Sequence, residues 1–392
     1  MYNGKPDKRS SSLAVLLDER SRANRNEERR SLPHRISLVL MAVQVLRSPS
    51  EMGDLPERWA ALADTAGARH YAQPFWSLAW WRHLGHGELH VAVVESGGRP
   101  VALAPLYRQR RFGVDTLRFL GSDILGVSEV LVAPGHDAAA DELWAFLLDR
   151  SRSVLDLRHH RFAGGGIDSL RRAENHAWQA RLGPASPLVD IAGSWEDYWR
   201  SRREKFRDEI QRRRRVAERE KVPARVEIVV EPGDIEKRLP EMTAVFDAAE
   251  RAQPKLHFLA GAYRPFTVDM LQRAAELSRL ALFVLYFGDR PAATSFTFRS
   301  ATRMSGGGSR FDPAFRKLSP GHLLWYAKLE YAFATGCTEF DLGAGDMPYK
   351  REWSTESYDT LDITAFSSRT VHGFHAAETE FASSRLVRKV LG

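Results

Sequence analysis

Ser319–Trp353, SPGHLLWYAKLEYAFATGCTEFDLGAGDMPYKREW, reads as a helix, a stop and the end of a strand in immediate succession. Ser319 is a favoured N-cap, Pro320 suits the first helical position, and apolar residues follow at helical spacing. Gly336 ends the helix. Those residues need no function. Arg316 and Lys317 just before the cap, and Gly321 and His322 just after it, are left over. A helix N-terminus offers unpaired N–H groups and about half a positive charge, so it attracts phosphate-like anions. A small Gly321 lets a ligand approach the backbone, and Arg316 can add a two-pronged contact. Arg316, Lys317, Ser319, Gly321 and His322 therefore form a candidate anion site; the plain alternative is a capped helix with basic neighbours that aid solubility.

Downstream, the strand EFDL runs into Gly343 and Gly345 and presents Asp341, Asp346, Tyr349 and Lys350 close together. Open α/β sheets place their sites where polar groups gather at a strand end. Lys350 is suited to stabilising a developing oxyanion, and Asp341 or Asp346 to accepting a proton. The plain alternative is an Asp-Gly turn with solvent-facing charges.

The rest of the chain alternates in the same style. VAVVESGGRPVALAPL and LFVLYFGDRPAATSFTF each read as strand, glycine turn and returning strand, a faint internal repeat that predicts two copies of one α/β unit. A length of 392 residues suits two domains. The expected division is a polar, disordered tail over 1–40, a first domain over 41–190, a second over 191–375, and a tail over 376–392. Within it, LPERWAALADTA and DELWAFLLDRSR predict helices, and one long charged helix is expected near 195–220.

Net charge is +7, with +4 in residues 1–35, +5 in residues 202–221 and about −2 elsewhere, so the basicity is local. The run Arg212–Arg215 must cover every side of a helix, and Phe206 is the lone aromatic between Arg200 and Arg225. A solvated helix fits better than a nucleic-acid face, with docking of an anionic substrate or partner as the second reading. Trp76 and Trp80 share a helical face, most often a core arrangement; Trp76 touching a sugar or lipid headgroup is the functional reading. A single cysteine, Cys337, excludes a disulfide framework and points to a reducing, cytoplasmic setting. LVLMAVQVL is too short to span a bilayer and too far along for a signal peptide, so no membrane span is expected. The histidines lack ligand spacing, so no metal is expected. No P-loop, no G-x-S-x-G and no strand-borne G-x-G-x-x-G occurs.

Ser319–Trp353 resembles the C-terminal signature of CelD-like proteins, members of the Gcn5-related N-acetyltransferase (GNAT) superfamily associated with cellulose and exopolysaccharide genes. The stretch LPERWAALADTA…QPFWSLAWWRHL…HVAVVESGGRPVALAPLYRQRRFGVDTLRFLG is similar to that family's first half, so the resemblance runs over roughly 42–368. It extends to the FemABX aminoacyl transferases. The resemblance implies tandem GNAT-like domains of α/β (α+β) class, each a mixed, largely antiparallel sheet flanked by helices. It also implies acetyl-CoA or another acyl-CoA as co-substrate, its pyrophosphate on an R/Q-x-x-G-x-G/A loop. Arg316-x-x-Ser319-x-Gly321 matches that loop with serine in place of its first glycine. Lys350 matches a lysine that assists the reaction in FemABX proteins, and Lys205 and Arg207 fall on a basic helix that implies substrate contacts. The activity implied is acyl transfer to an amine or hydroxyl of a small molecule or glycan precursor of the cell envelope. An aminoacyl-tRNA-dependent transferase, with tRNA as partner, and a non-catalytic scaffold are the alternatives.

Overall fold

Both expected hairpins form, and each grows into a sheet. The computed structural model describes residues 42–366 except 112–113, 125, 149–152, 162–165, 173–177 and 220–222; the tails expected over 1–40 and 376–392 lie outside the described residues. In the first half the order is β1 (Val43–Leu46), α1 (Leu55–Thr65), α2 (Pro74–Leu84), β2 (Glu88–Ser96), β3 (Arg99–Arg111), β4 (Val114–Phe119), β5 (Leu131–Val132), α3 (Asp137–Leu148), β6 (Ser153–Arg161), α4 (Ile167–Arg172), β7 (Trp178–Leu182) and β8 (Ser186–Asp190). The second half runs α5 (Trp195–Ser201), α6 (Glu204–Arg219), β9 (Ala224–Val229), α7 (Pro232–Ala252), α8 (Tyr263–Glu276), β10 (Leu280–Phe287), β11 (Arg290–Ser300) and β12 (Arg303–Phe311). A 3-10 turn over Pro313–Leu318 then leads into α9 (Pro320–Ala334), β13 (Glu339–Asp341), α10 (Pro348–Trp353), β14 (Glu356–Tyr358) and β15 (Thr360–Phe366). The single charged helix expected near 195–220 is two helices, broken at Arg202, whose backbone is extended.

The two halves repeat one topology. β1-β2-β3-β4-β6 and β9-β10-β11-β12-β13 are successive neighbours in their sheets. The last pair of each run is parallel, β4 with β6 and β12 with β13, and the others are antiparallel. The internal repeat read from the hairpins is thus a repeat of whole units. Past the fifth strand the halves trade chain. β15, from the C-terminal end, lies between β6 and β7 of the first sheet. β8, from the end of the first half, lies between β13 and β14 of the second. The boundaries expected at 190 and 375 therefore assign both strands to the wrong sheet. Alternating apolar residues make a strand but do not say which edge it joins.

Strand alternation divides the apolar residues between cores. Along β10, Leu282, Val284 and Tyr286 join a core built with α1, α2, α7 and α8, which the two halves share. Ala281, Phe283, Leu285 and Phe287 point the other way, onto α5, α6 and α9. A third core fixes α3 on the first sheet. Trp76 belongs to the shared core: it is 3% exposed, and its ring meets Phe266 edge-on at 5.6 Å. The reading of Trp76 as a substrate contact is corrected, because no ligand reaches a ring packed that way.

Candidate active site

β12 and β13 pair only over Arg303–Ser305 and Glu339–Asp341. β12 then continues to Phe311, while the other chain turns away at Leu342, so the sheet forks after Ser305. The first half has the corresponding fork between β4 and β6, but there its own chain enters it. Ser128 bridges His160, and the Val130 N–H donates to His160 Nε2 at 3.2 Å. In the second half a cavity of about 470 Å³ lies along the forked edge.

α9 opens onto that cavity. Pro320 is its first residue, as expected, but Ser319 does not cap it through its side chain. Ser319 instead holds φ 52° and ψ 51°, the left-handed conformation that glycine adopts without strain. Serine thus holds a backbone shape that ordinarily favours glycine. The His322 and Leu323 amides close onto the Ser319 carbonyl, while the Gly321 amide makes no hydrogen bond among the described residues. A Cβ on Gly321 would find only the Phe311 ring, at 3.8 Å, so the missing side chain is cavity space. At the other end, Gly336 (φ 68°) follows the C-cap, and the Cys337 amide reaches back to the Ala332 carbonyl, closing the helix with a glycine turn.

Arg316, Ser319, Gly321, His322 and Tyr349 all line the cavity. Lys317 lies just outside it, its carbonyl accepting from Arg213. Lys255 and Arg310 add two cations that the sequence reading missed, because they come from the loop after α7 and from β12. The Arg310 guanidinium is held by the Ser309 and Leu256 carbonyls. His322 Nδ1 is shielded from solvent and unpartnered, and burial pushes the His322 imidazole below its ordinary pKa. Lys205 and Arg207, near the start of α6, do not line the cavity, and Lys205 is exposed.

Of the strand-end residues, Asp341 is committed elsewhere. Its carboxylate takes Arg69 Nε at 2.7 Å, the Ser186 hydroxyl at 2.8 Å, the Gly343 amide at 2.7 Å and the Tyr358 hydroxyl. Burial pushes this carboxyl up, but the Arg69 guanidinium and the three hydrogen bonds outweigh it and hold Asp341 below the usual carboxylate range. A carboxylate stabilised in that way is a poor proton acceptor, so Asp341 acts as a tie between the halves. Asp346 is exposed and paired with Arg351. Lys350 is buried, its Nζ donating to the Gly343 and Ala344 carbonyls at 2.7 and 2.9 Å. Burial lowers its pKa to about 8 against the pull of Asp341 and Asp346.

The forked parallel pair, the helix N-terminus at its mouth and the cations around the cavity all fall in the second half. Residues 204–351 match the family model of an acetyltransferase (GNAT) domain. Among solved structures, FemX is similar with a TM-score of 0.60 at 10% identity, over 80% of this chain and 96% of that one. The C-terminal domain (DUF2156) of a putative lysylphosphatidylglycerol synthetase from Agrobacterium fabrum is similar with a TM-score of 0.55 at 12% identity, over 84% and 96%. L-PGS from Bacillus licheniformis gives 0.53 at 14%, over 84% and 98%. At these identities the likeness is one of fold. No curated protein matches by sequence. The chain thus repeats one mixed α/β unit, and the second copy holds the segment that matches the acetyltransferase (GNAT) domain model. Among the described residues no helix is long and apolar enough to cross a membrane.

Proposed function

We propose that the protein is an acyl-CoA-dependent acyltransferase working at the second-half fork, with an amine or hydroxyl of a cell-envelope or exopolysaccharide precursor as acceptor. The observation that carries this reading is the Gly321 gap: a missing side chain and an unbonded amide at a helix N-terminus, facing a cavity that Lys255, Arg310 and Arg316 also line. That set fits a pyrophosphate: charge-assisted contacts from the cations, a backbone donor from Gly321 and the end of the helix dipole. The bound thioester supplies an electrophilic carbonyl. The protein's part is to hold the donor along the β12 edge, exclude water and aim fixed dipoles at the charge that develops on the carbonyl oxygen. Lys350, anchored on the turn after β13, is the cation suited to that charge.

Thermal shift tests the reading. Coenzyme A or acetyl-CoA is expected to raise Tm, and Arg316→Ala to reduce the rise by removing a charge-assisted contact. No shift at millimolar ligand would count decisively against it. A donor carried on tRNA is less well supported, since Arg212 and Arg213 of α6 are engaged by Glu209. Salt-sensitive tRNA binding would revive it.

A further inference from the structure

The second sheet ends on β9, which pairs with β10 on one side and, among the described residues, with no strand on the other. It is the longest of the strands that end the two sheets, the others being β1, β7 and β14. The direction of its main-chain groups follows from one hydrogen bond. The Gly288 amide donates to the Pro223 carbonyl at 3.2 Å, so Pro223 turns its carbonyl to β10. The register with β10 runs without a shift from Ala224 to Val229. Arg225, Glu227 and Val229 therefore bond to β10 as well, while Ala224, Val226 and Ile228 turn their amides and carbonyls outward. No backbone hydrogen bond among the described residues meets those outward groups. Ala224 is exposed, and Ile228 is a large apolar side chain 40% exposed to water.

Such an edge is a template for another strand. Charge along it decides which strand fits. Arg225 and Glu227 share one face of β9 and pair with each other. The Arg225 guanidinium lies 4.3 Å from the centroid of the Tyr286 ring, and Glu227 also meets Arg238, so both are held beside the edge. An edge carrying a single sign would repel its own copy; this one does so only in some registers.

A second copy related by a two-fold axis brings β9 antiparallel to itself, outward residues facing outward residues. With the axis at Arg225 the two guanidiniums oppose each other, and with the axis at Glu227 the two carboxylates do. With the axis at Val226, Arg225 of each copy faces Glu227 of the other. Val226 then faces Val226, and Ile228 lies across from Ala224. Every outward residue finds a partner in this register, and each facing pair exchanges two hydrogen bonds. The other two registers leave one outward residue of each copy unmatched.

We propose that β9 is a dimerisation edge: a second copy of this chain pairs with it across a two-fold axis at Val226, making the two second-half sheets continuous. β10 and β11 stand between β9 and β12, which puts the forked edge roughly 14 Å from the junction, so both cavities stay open.

Sedimentation velocity of the full chain, from micromolar to hundreds of micromolar, should show a dimer that dissociates on dilution. Glu227→Arg sets like charges against each other across the axis and should weaken association by about tenfold or more. Adding Arg225→Glu restores opposite signs and should restore the dimer. Circular-dichroism melting reports whether each variant is folded. If Glu227→Arg unfolds because Arg238 loses its partner, cross-linking decides. Mild oxidation of Val226→Cys should link two copies through position 226, while Ile228→Cys should stay unlinked because the axis sets 228 opposite 224. A chain that stays monomeric, a dimer indifferent to a folded Glu227→Arg, or the lack of a link through position 226 overturns the proposal.

Discussion

Lys328 and Asp341 are both buried ionisable groups, and each depends on how its charge is met. For Lys328, the Trp325 face favours a cation by up to about 2 kcal/mol, less than burying an unpaired ammonium costs. Burial and the Lys350 charge lower its pKa to about 7, so between there and the ordinary lysine value of 10.5 the unfolded chain binds a proton that the folded one lacks. Stability contributed by this site therefore rises with pH, by roughly 1.4 kcal/mol per unit, through that window. Lys328→Met should flatten the rise and increase stability at pH 7, which urea unfolding at pH 6.5, 7.5 and 8.5 would show. At Asp341 the slope has the same sign but lies in an acid window, and there the charged form is the one that stabilises. Its carboxyl is held below 3.8, so its contribution is present above that value and lost as pH falls through the lowered one. Asp341→Asn leaves Arg69 buried with Glu339 as its one charged partner among the described residues and should cost about 3 kcal/mol at neutral pH in the same assay. Only one of these roles shows in the sequence. Lys328 sits on the apolar stripe with Leu324, Trp325, Leu329 and Ala332, a readable anomaly, though a helical lysine usually reaches solvent along its own stem. Arg69 and Asp341 are 272 positions apart, and nothing local links them.

For α9, the sequence is a good guide to the ends and a poor one to the start's geometry. Pro320 and Gly336 mark its limits because each acts through its own backbone. Ser319 looks like a side-chain cap but works as a left-handed hinge, which residue type alone does not separate. Ser319→Gly should therefore be tolerated and stabilise the fold by about 0.5 kcal/mol, while Ser319→Val, β-branched in that region, should cost about 2 kcal/mol. Gly321 divides stability from binding. Gly321→Ala puts a better helix former at an uncrowded position, so thermal unfolding should occur at the same or a higher temperature. Its methyl fills cavity space, so acetyl-CoA should bind several-fold more weakly by calorimetry. Unchanged affinity would remove Gly321 from the donor site. Position at the cavity separates Arg316 from Lys317 and Lys205 from the site, because adjacent side chains on a turn or helix point in different directions.

For the whole molecule, the exchange of β8 and β15 makes each sheet incomplete without the other half. The shared core and the buried Arg69–Asp341 tie add to that dependence. Residues 42–192 and 193–366 expressed separately should be insoluble or molten, should give a folded complex when refolded together, and the intact chain should melt in one calorimetric transition. Two transitions would show that the halves are independent. The hairpins and the repeat were legible because they are local. The exchange was not, since β8 and β15 are short apolar strands that fit either sheet equally well by pattern. The exchange also sets an order of events during synthesis. The ribosome releases β6 long before β15, so the first sheet waits with an open hydrogen-bonding edge until nearly the whole described chain has emerged. A nascent chain stalled before residue 360 should stay protease-sensitive in its first half, and translation speed near the end governs how long that edge is open to the wrong partner.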